Sequence, residues 1–377
     1  MKSLAPAFDV SVAGASDIGR VRENNEDRVI VGSLDTGRTL SATELHDGWR
    51  GTGDRGPFAV VCDGMGGAHG GEVAADLAAE VVWREMMTTP KTGDVEVFAR
   101  LLRRALRVAS AEVYATAVRE NLRGMGTTAV AAAVVGDQLV IANVGDSRVY
   151  VMRGQRLSQV TRDQSLASVM LSAGRSEAEA AGVGGAILQA VGVAADVEPS
   201  LSLAQLRHGD RILLCSDGLH GLLDDAVIQK ALLDGGSSGN NVELAASVDL
   251  LINCARIAGG SDNISCVLIE VQGARFAAPQ PNEAPRFHEF DPQKEGAPAL
   301  TSTSYVARRL AARAGVDTDP GPAILPVTGQ HRAFVDASDG DSGPGEARRM
   351  LASSALPHWV WLVAATIASG VTWLLLR

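Results

Sequence analysis

The sequence predicts an α+β fold built as a layered sandwich, and three observations predict it. Valine-rich runs at residues 127–135, 138–144 and 148–152 are separated only by Gly136-Asp137 and Gly145-Asp146-Ser147, the pattern of antiparallel hairpins. Helical periodicity comes in neighbouring pairs, 72–87 with 95–122 and 224–232 with 242–257, where a parallel sheet would need alternation with single strands. Four apolar runs end or begin at an aspartate beside a turn residue: Asp63-Gly64, Asp146 in GDSR, Asp217-Gly218 and Asp262-Asn263.

Bulk composition narrows the function classes. At 377 residues and 46% hydrophobic, the chain can bury a sizeable core. A net charge of −10 argues against a nucleic-acid surface, which needs clustered Lys and Arg. The four cysteines (Cys62, Cys215, Cys254, Cys266) lack CxxC spacing and are expected to be reduced. The seven histidines show no HxxxH or HxxE pairing, so zinc has little support. Residues 1–9 lack the apolar core of a signal peptide.

Taken in order, residues 8–15 alternate as a first strand, and 28–32 form a second across a polar loop that carries arginines and acids. Residues 33–57 are polar and glycine-bearing, and read as a hairpin connection or an exposed insertion. An apolar run, Phe58 to Cys62, stops at Asp63 and passes through glycines 64, 66 and 67 into a helical pattern from Glu72. Such a strand delivers a carboxylate at a fixed place, and the glycines let bare backbone approach a ligand. Carboxylate plus carbonyl oxygen suits Mg²⁺ or Mn²⁺. Asp-Gly also closes ordinary turns, so this stretch alone leaves a plain strand-to-helix turn open. Residues 95–122 carry a broad apolar stripe (Leu101, Leu102, Ala105, Leu106, Val108, Ala109, Val113). Beyond the hairpins come short helices at 165–173 and 176–181, strands at 198–203 and 211–215, the second helix pair, and a last strand at 264–271. Strands ending at one edge of a sandwich would gather the four aspartates. Unneutralised, these would repel one another by several kcal/mol, which divalent cations resolve.

After residue 273 the character changes. Nine of the fourteen prolines fall between 274 and 356, with no apolar period, which reads as a mostly disordered linker. Residues 357–377 close with an uncharged apolar segment that has Trp359, Trp361 and Trp373 near its ends. Its eighteen residues from 359 to 376 reach about 27 Å, enough for one transmembrane helix in a lipid bilayer. Arg348 and Arg349 upstream predict that the domain before the linker is cytoplasmic, held on the inner membrane.

The motifs SDIGRVRENNED (16–27), DGMGG (63–67), GMGTT (124–128), NVGDSR (143–148), SDGL (216–219) and SDNIS (261–265) resemble, in order, those of the bacterial PPM-type (type 2C) metal-dependent serine/threonine protein phosphatases. The resemblance covers residues 8 to about 271 and implies a four-layer αββα sandwich, two antiparallel sheets flanked by helices. It implies two Mn²⁺ or Mg²⁺ ions. Asp63 would bridge them, the Gly64 carbonyl would bind one, and Asp217 and Asp262 would bind the other. Asp146, with Asp217, would make a third, weaker site. Glu26 and Asp27 would hold metal-bound waters, Asn263 would orient the ligands beside Asp262, and Arg22 would grip the substrate phosphate. Three carboxylates and one hydroxide balance two dications, so an arriving phosphate dianion still needs the always-charged, bidentate guanidinium. The implied reaction is hydrolysis of phosphoserine and phosphothreonine by a hydroxide bridging two metals about 3.5–4 Å apart. Its partners would be phosphorylated proteins, namely bacterial serine/threonine kinases and their substrates.

Three positions depart from the pattern. Met65 stands where eukaryotic members carry a histidine proposed as general acid, Ala68 then His69 where many bacterial members have histidine, and Gln164 where the T-x-D-H-S motif has one. His69 reads as a loop residue, and leaving-group protonation falls to another donor. A silent phosphoprotein-binding module and a phosphatase for small esters are the competing readings. The intact metal aspartates weigh against the first.

Overall fold

The computed structural model describes residues 8–53, 55–66, 70–236 and 241–291, all within one compact unit. In chain order the strands are β1 (Phe8–Asp17), β2 (Asp27–Ser33), β3 (Arg38–Thr39), β4 (Trp49–Gly53), β5 (Arg55–Met65), β6 (Gly126–Thr127), β7 (Ala129–Val135), β8 (Gln138–Val144), β9 (Arg148–Arg153), β10 (Arg156–Gln159), β11 (Ser200–Gln205), β12 (Arg211–Cys215), β13 (Ile264–Gln272) and β14 (Phe287–Glu289). The helices are α1 (Ala42–Asp47), α2 (Gly70–Thr88), α3 (Val95–Arg119), α4 (Leu166–Ser172), α5 (Glu177–Ala181), α6 (Asp217–His220), α7 (Asp225–Asp234) and α8 (Asn241–Ile257).

Two antiparallel sheets form the centre. One runs β10-β9-β12-β13-β1-β4. The other runs β14-β11-β8-β7-β5-β2-β3, with β6 added on β5. Three apolar layers bind them into the αββα sandwich. Val12, Val61, Ile141, Val151, Leu214 and Ile269 pack between the sheets. Val60, Ala131, Val81 and Leu102 pack between the second sheet and α2 and α3. Leu213, Leu268, Ile228 and Leu251 pack between the first sheet and α7 and α8.

Local sequence explains why these elements sit here. All seven residues of β7 are buried, as a central strand covered on both faces requires, and its run of alanines lets the helices come close. In α3 the Asp94 side chain caps the N-terminus by accepting the Val97 N–H at 3.0 Å. Every residue of the α3 apolar stripe is buried. Cys62, Cys215 and Cys266 are buried and all four cysteines are free thiols.

Two regions differ from the sequence reading. Residues 33–57 are no simple connection. They hold α1, closed by a Ser41–Glu44 capping box, and β4, which pairs with β1 as the sheet edge. Residues 274–291, expected as the start of the linker, pack onto the domain as a strap. Phe276 enters the inter-sheet core, Phe290 enters the layer under α3, and β14 extends the second sheet beside β11. Burial of two phenylalanines offsets the ordering of a proline-rich stretch. The rest of the linker and the terminal segment 357–377 lie outside the described residues. Among the described residues no helix is long and apolar enough to cross a membrane.

Candidate active site at the carboxylate end of the sandwich

The register of the second sheet places Asp27 directly opposite Asp63 at the ends of β2 and β5. The GMGTT motif fixes the Asp63 backbone. Thr128 Oγ1 accepts the Asp63 N–H at 3.2 Å, while the Thr128 N–H and the Thr127 hydroxyl both donate to the Asp63 carbonyl at 2.8 Å. Gly64 donates its N–H to the Glu26 carbonyl at 3.1 Å. A Cβ on Gly64 would lie 2.2 Å from the Gly71 carbonyl oxygen, so glycine alone fits this turn.

From the first sheet come Asp217, opening α6 just past β12, and Asp262, just before β13. Asp63 and Asp217 share a hydrogen bond. Burial, then the charges of Asp217 and Asp27, push the Asp63 carboxyl well above the usual range. Burial, chiefly, raises Asp217 as well, with the Asp262 charge adding to it. Asp27 is pushed up to about 7 by burial, although Ser216 Oγ donates to its Oδ2 at 2.8 Å. Asp146, at the turn before β9, is pushed up to about 7 by burial and by the Asp217 charge.

The loop between β1 and β2 carries Arg22, which reaches Asp262 Oδ2 at 2.7 Å. This loop is pinned to the Gly260–Asn263 turn. The Arg20 N–H donates to the Gly260 carbonyl at 2.7 Å, and Asn263 Nδ2 donates to the Ile18 and Asn24 carbonyls at 2.9 Å. Asn263 Oδ1 accepts the Glu26 N–H at 2.8 Å. Gly19 makes the approach with φ of +83°, where a Cβ would sit 2.2 Å from the Asp262 carbonyl oxygen.

The fold thus brings Asp63, Asp217, Asp262, Asp27, Asp146, Arg22, Glu26 and Asn263 to one end of the sandwich. As they stand, no three His, Cys, Asp or Glu side chains among the described residues form a ready ligand set. Asp63 meets Asp217, and Asp262 meets the Arg22 guanidinium. The donor chemistry fits hard divalent cations. Asp27 Oδ1 and Asp217 Oδ1 are buried with no partner, and mutually repelling carboxylates surround them with one arginine among them.

A protein phosphatase 2C family model matches residues 44–237. A serine/threonine phosphatase of Listeria monocytogenes is 32% identical over 262 residues, covering 68% of this chain and 93% of the relative. The chain belongs to the protein phosphatase 2C family. Another relative, the serine/threonine protein phosphatase PstP of Mycobacterium tuberculosis, is 33% identical over 273 residues, 71% of this chain and 46% of PstP. The PstP catalytic domain, crystallised with two manganese ions, superposes with a TM-score of 0.56 at 32% identity over 70% of this chain and 99% of that domain. This type 2C chain is therefore a metal-dependent serine/threonine protein phosphatase, and its two-sheet sandwich is the family fold.

Several supporting residues escaped the sequence reading. Thr127, Thr128, Ser216 and Ser265 sat inside the quoted motifs, yet nothing in their spacing gave them roles. Ser216 Oγ links Asp27 to the Ser265 N–H (3.0 Å), tying the two sheets at the site. His220 and Gln164 hold the Asp146 turn; Gln164 had stood out only as a departure from the T-x-D-H-S motif, and His220 left no signal of its own. Met65 ends β5 opposite Gly126, and His69 lies outside the described residues.

Proposed function

We propose that this phosphatase dephosphorylates phosphoserine and phosphothreonine in proteins at the cytoplasmic face of the inner membrane, opposing serine/threonine kinases. In this reading Asp63, the Gly64 carbonyl, Asp217 and Asp262 hold two Mn²⁺ or Mg²⁺ ions, and Asp146 with Asp217 holds a third, weaker one. The carrying observation is the hydrogen-bonded Asp63–Asp217 pair with Asp262 and Asp27 alongside. This is a cluster of negative charge that the chain itself does not neutralise. Bound there, the ions would lower the pKa of a water and clamp phosphoryl oxygens. Arg22 bonds Asp262 of the cluster and is placed to exchange it for a phosphate dianion. Asp27 and Glu26 would accept hydrogen bonds from water at the ions, with Ser216 fixing the orientation of Asp27.

The PstP crystal with two manganese ions supports the metal assignment, and the names of the relatives support the substrate class. The apolar segment 357–377 supports the anchor, and the arginines at 348 and 349 support its orientation. The test is hydrolysis of p-nitrophenyl phosphate and of phosphothreonine peptides by the full chain in detergent, with Mn²⁺ and after chelation. Turnover that survives chelation sinks the metal reading, and turnover of small esters alone sinks the protein substrate. Cell fractionation tests the anchor. Full-length protein in the soluble fraction would end that part.

A further inference from the structure

The Gly145-Asp146-Ser147 turn between β8 and β9 is gripped from three directions. Gln164 Oε1 accepts the Gly145 N–H at 3.0 Å, and the Gln164 N–H returns a bond to the Gly145 carbonyl at 2.9 Å. The amide is itself anchored, because Nε2 donates to Ser200 Oγ at 2.8 Å at the start of β11. From α6, whose first residue is Asp217, His220 Nε2 donates to the Asp146 carbonyl at 3.0 Å. On the third side Thr128 Oγ1 meets Ser147 Oγ at 2.7 Å, and the same hydroxyl accepts the Asp63 N–H.

A clamp of this kind answers a specific physical need. Asp146 faces the like charge of Asp217, so its carboxylate gains by swinging out to water. The turn that carries it contains Gly145 at φ of +95°, the residue type least able to resist such a swing. Holding the Gly145 N–H with the Gln164 side chain and the Asp146 carbonyl with His220, beside the backbone bond from Gln164 to the Gly145 carbonyl, removes that escape. The two side-chain bonds come from α6, which opens with Asp217, and from the segment after Asp163, whose carboxylate is paired with Arg148 at 2.7 Å.

We infer that Gln164 and His220 are positioning residues for Asp146, holding its carboxylate in reach of a cation shared with Asp217. Gln164 is this chain's own solution at a position where the type 2C motif carries histidine. The inference rests on the third, weaker cation site of the proposed function. It adds that the affinity of that site is set by two side chains that touch no metal.

Mn²⁺ binding to the full chain, followed by calorimetry and by the electron paramagnetic resonance of free Mn²⁺, tests this without reference to turnover. The unmodified protein should bind three equivalents. Gln164→Ala and His220→Ala should each weaken the last equivalent by about tenfold while the first two bind as before. His220→Gln, which presents an amide N–H near the Nε2 position, should recover most of that loss. Should either alanine variant fail to fold by near-ultraviolet circular dichroism, Gln164→Asn takes its place. It keeps the amide but falls one methylene short, and must show the same selective loss. Three equivalents with unchanged affinities in the variants overturn the clamp alone. Equal weakening of all three equivalents overturns it in favour of general loosening. Only two equivalents in the unmodified protein overturn the third site, and the clamp with it, while leaving the two-ion phosphatase intact.

Discussion

Strands β9, β12 and β13 carry buried charge at both of their ends, and the two ends are built in opposite ways. At one end Arg153 is bonded to Asp210 at 2.7 Å and to Glu283 at 2.9 Å, and Arg211 to Glu270 at 2.8 Å, with further guanidinium bonds to the Gln205 and Leu232 carbonyls. Every carboxylate there faces a cation. At the other end Asp146 and Asp262 face Asp217, which in turn meets Asp63, and two buried oxygens lack partners; Arg22 bonds Asp262, while Arg148, itself paired with Asp163, only partly offsets the charge of Asp146. Arg153, Asp210, Arg211 and Glu270 at the first end are buried, whereas Arg22 and Asp262 at the second stay partly open to solvent. The first end is self-sufficient, and the second is built for charge that must come from outside the chain.

The largest expected effect comes from splitting function from stability at the second end. Asp63→Asn should lower Mn²⁺-dependent hydrolysis of p-nitrophenyl phosphate by about 10³-fold. It should also stabilise the metal-free protein to urea by about 1 kcal/mol, since it removes a repelling charge. A variant that is both active and less stable would break the comparison. At the self-sufficient end the sign reverses. Arg153→Ala strands the fully buried Asp210 and should cost about 3–5 kcal/mol in urea denaturation. The strap that brings Glu283 to this arginine should itself matter, with Phe276→Ala costing about 3 kcal/mol.

Acidity sharpens the contrast further. Asp27 and Asp146 titrate near 7 in the folded chain and near the ordinary aspartate value unfolded, so the folded state binds more protons between these values. The part of metal-free stability that these two groups contribute is therefore complete below about 4 and is lost as the pH rises through about 7. Thermal melts across that range in chelator should fall, and Mn²⁺ should flatten the fall. A metal-free protein that grows more stable over the same range would contradict the charge assignment. The smallest effect belongs to neither end. Ser41→Ala, which opens the α1 capping box, should cost about 1 kcal/mol and leave Mn²⁺ binding untouched.

The site was legible in the sequence to the extent that it is made at strand ends. A valine run that stops at Asp63, or starts after Asp262, announces both the strand and the carboxylate. What stayed hidden was of two kinds. The strap looked like linker because prolines dominate its composition, although Phe276 and Phe290 were there as a signal of burial. Helix α1 hid in a polar stretch, yet its Ser41–Glu44 spacing is itself a start signal. The supports of the site, such as Ser216, His220 and Gln164, act through bonds between segments distant in the chain, which no local spacing encodes.

Asn263 shows how far one such support can reach. Its carbonyl oxygen and its amide nitrogen hold three separate peptide groups of the segment that bears Arg22, while its own N–H is tied to Asp262. Loop and aspartate therefore share one mechanical joint, and neither can be lengthened, shortened or re-aimed alone. Aspartate, the nearest isostere, would set an anion against two carbonyls and unlock both at once. The chain has little freedom to retune phosphate recognition without also disturbing the neighbouring acid.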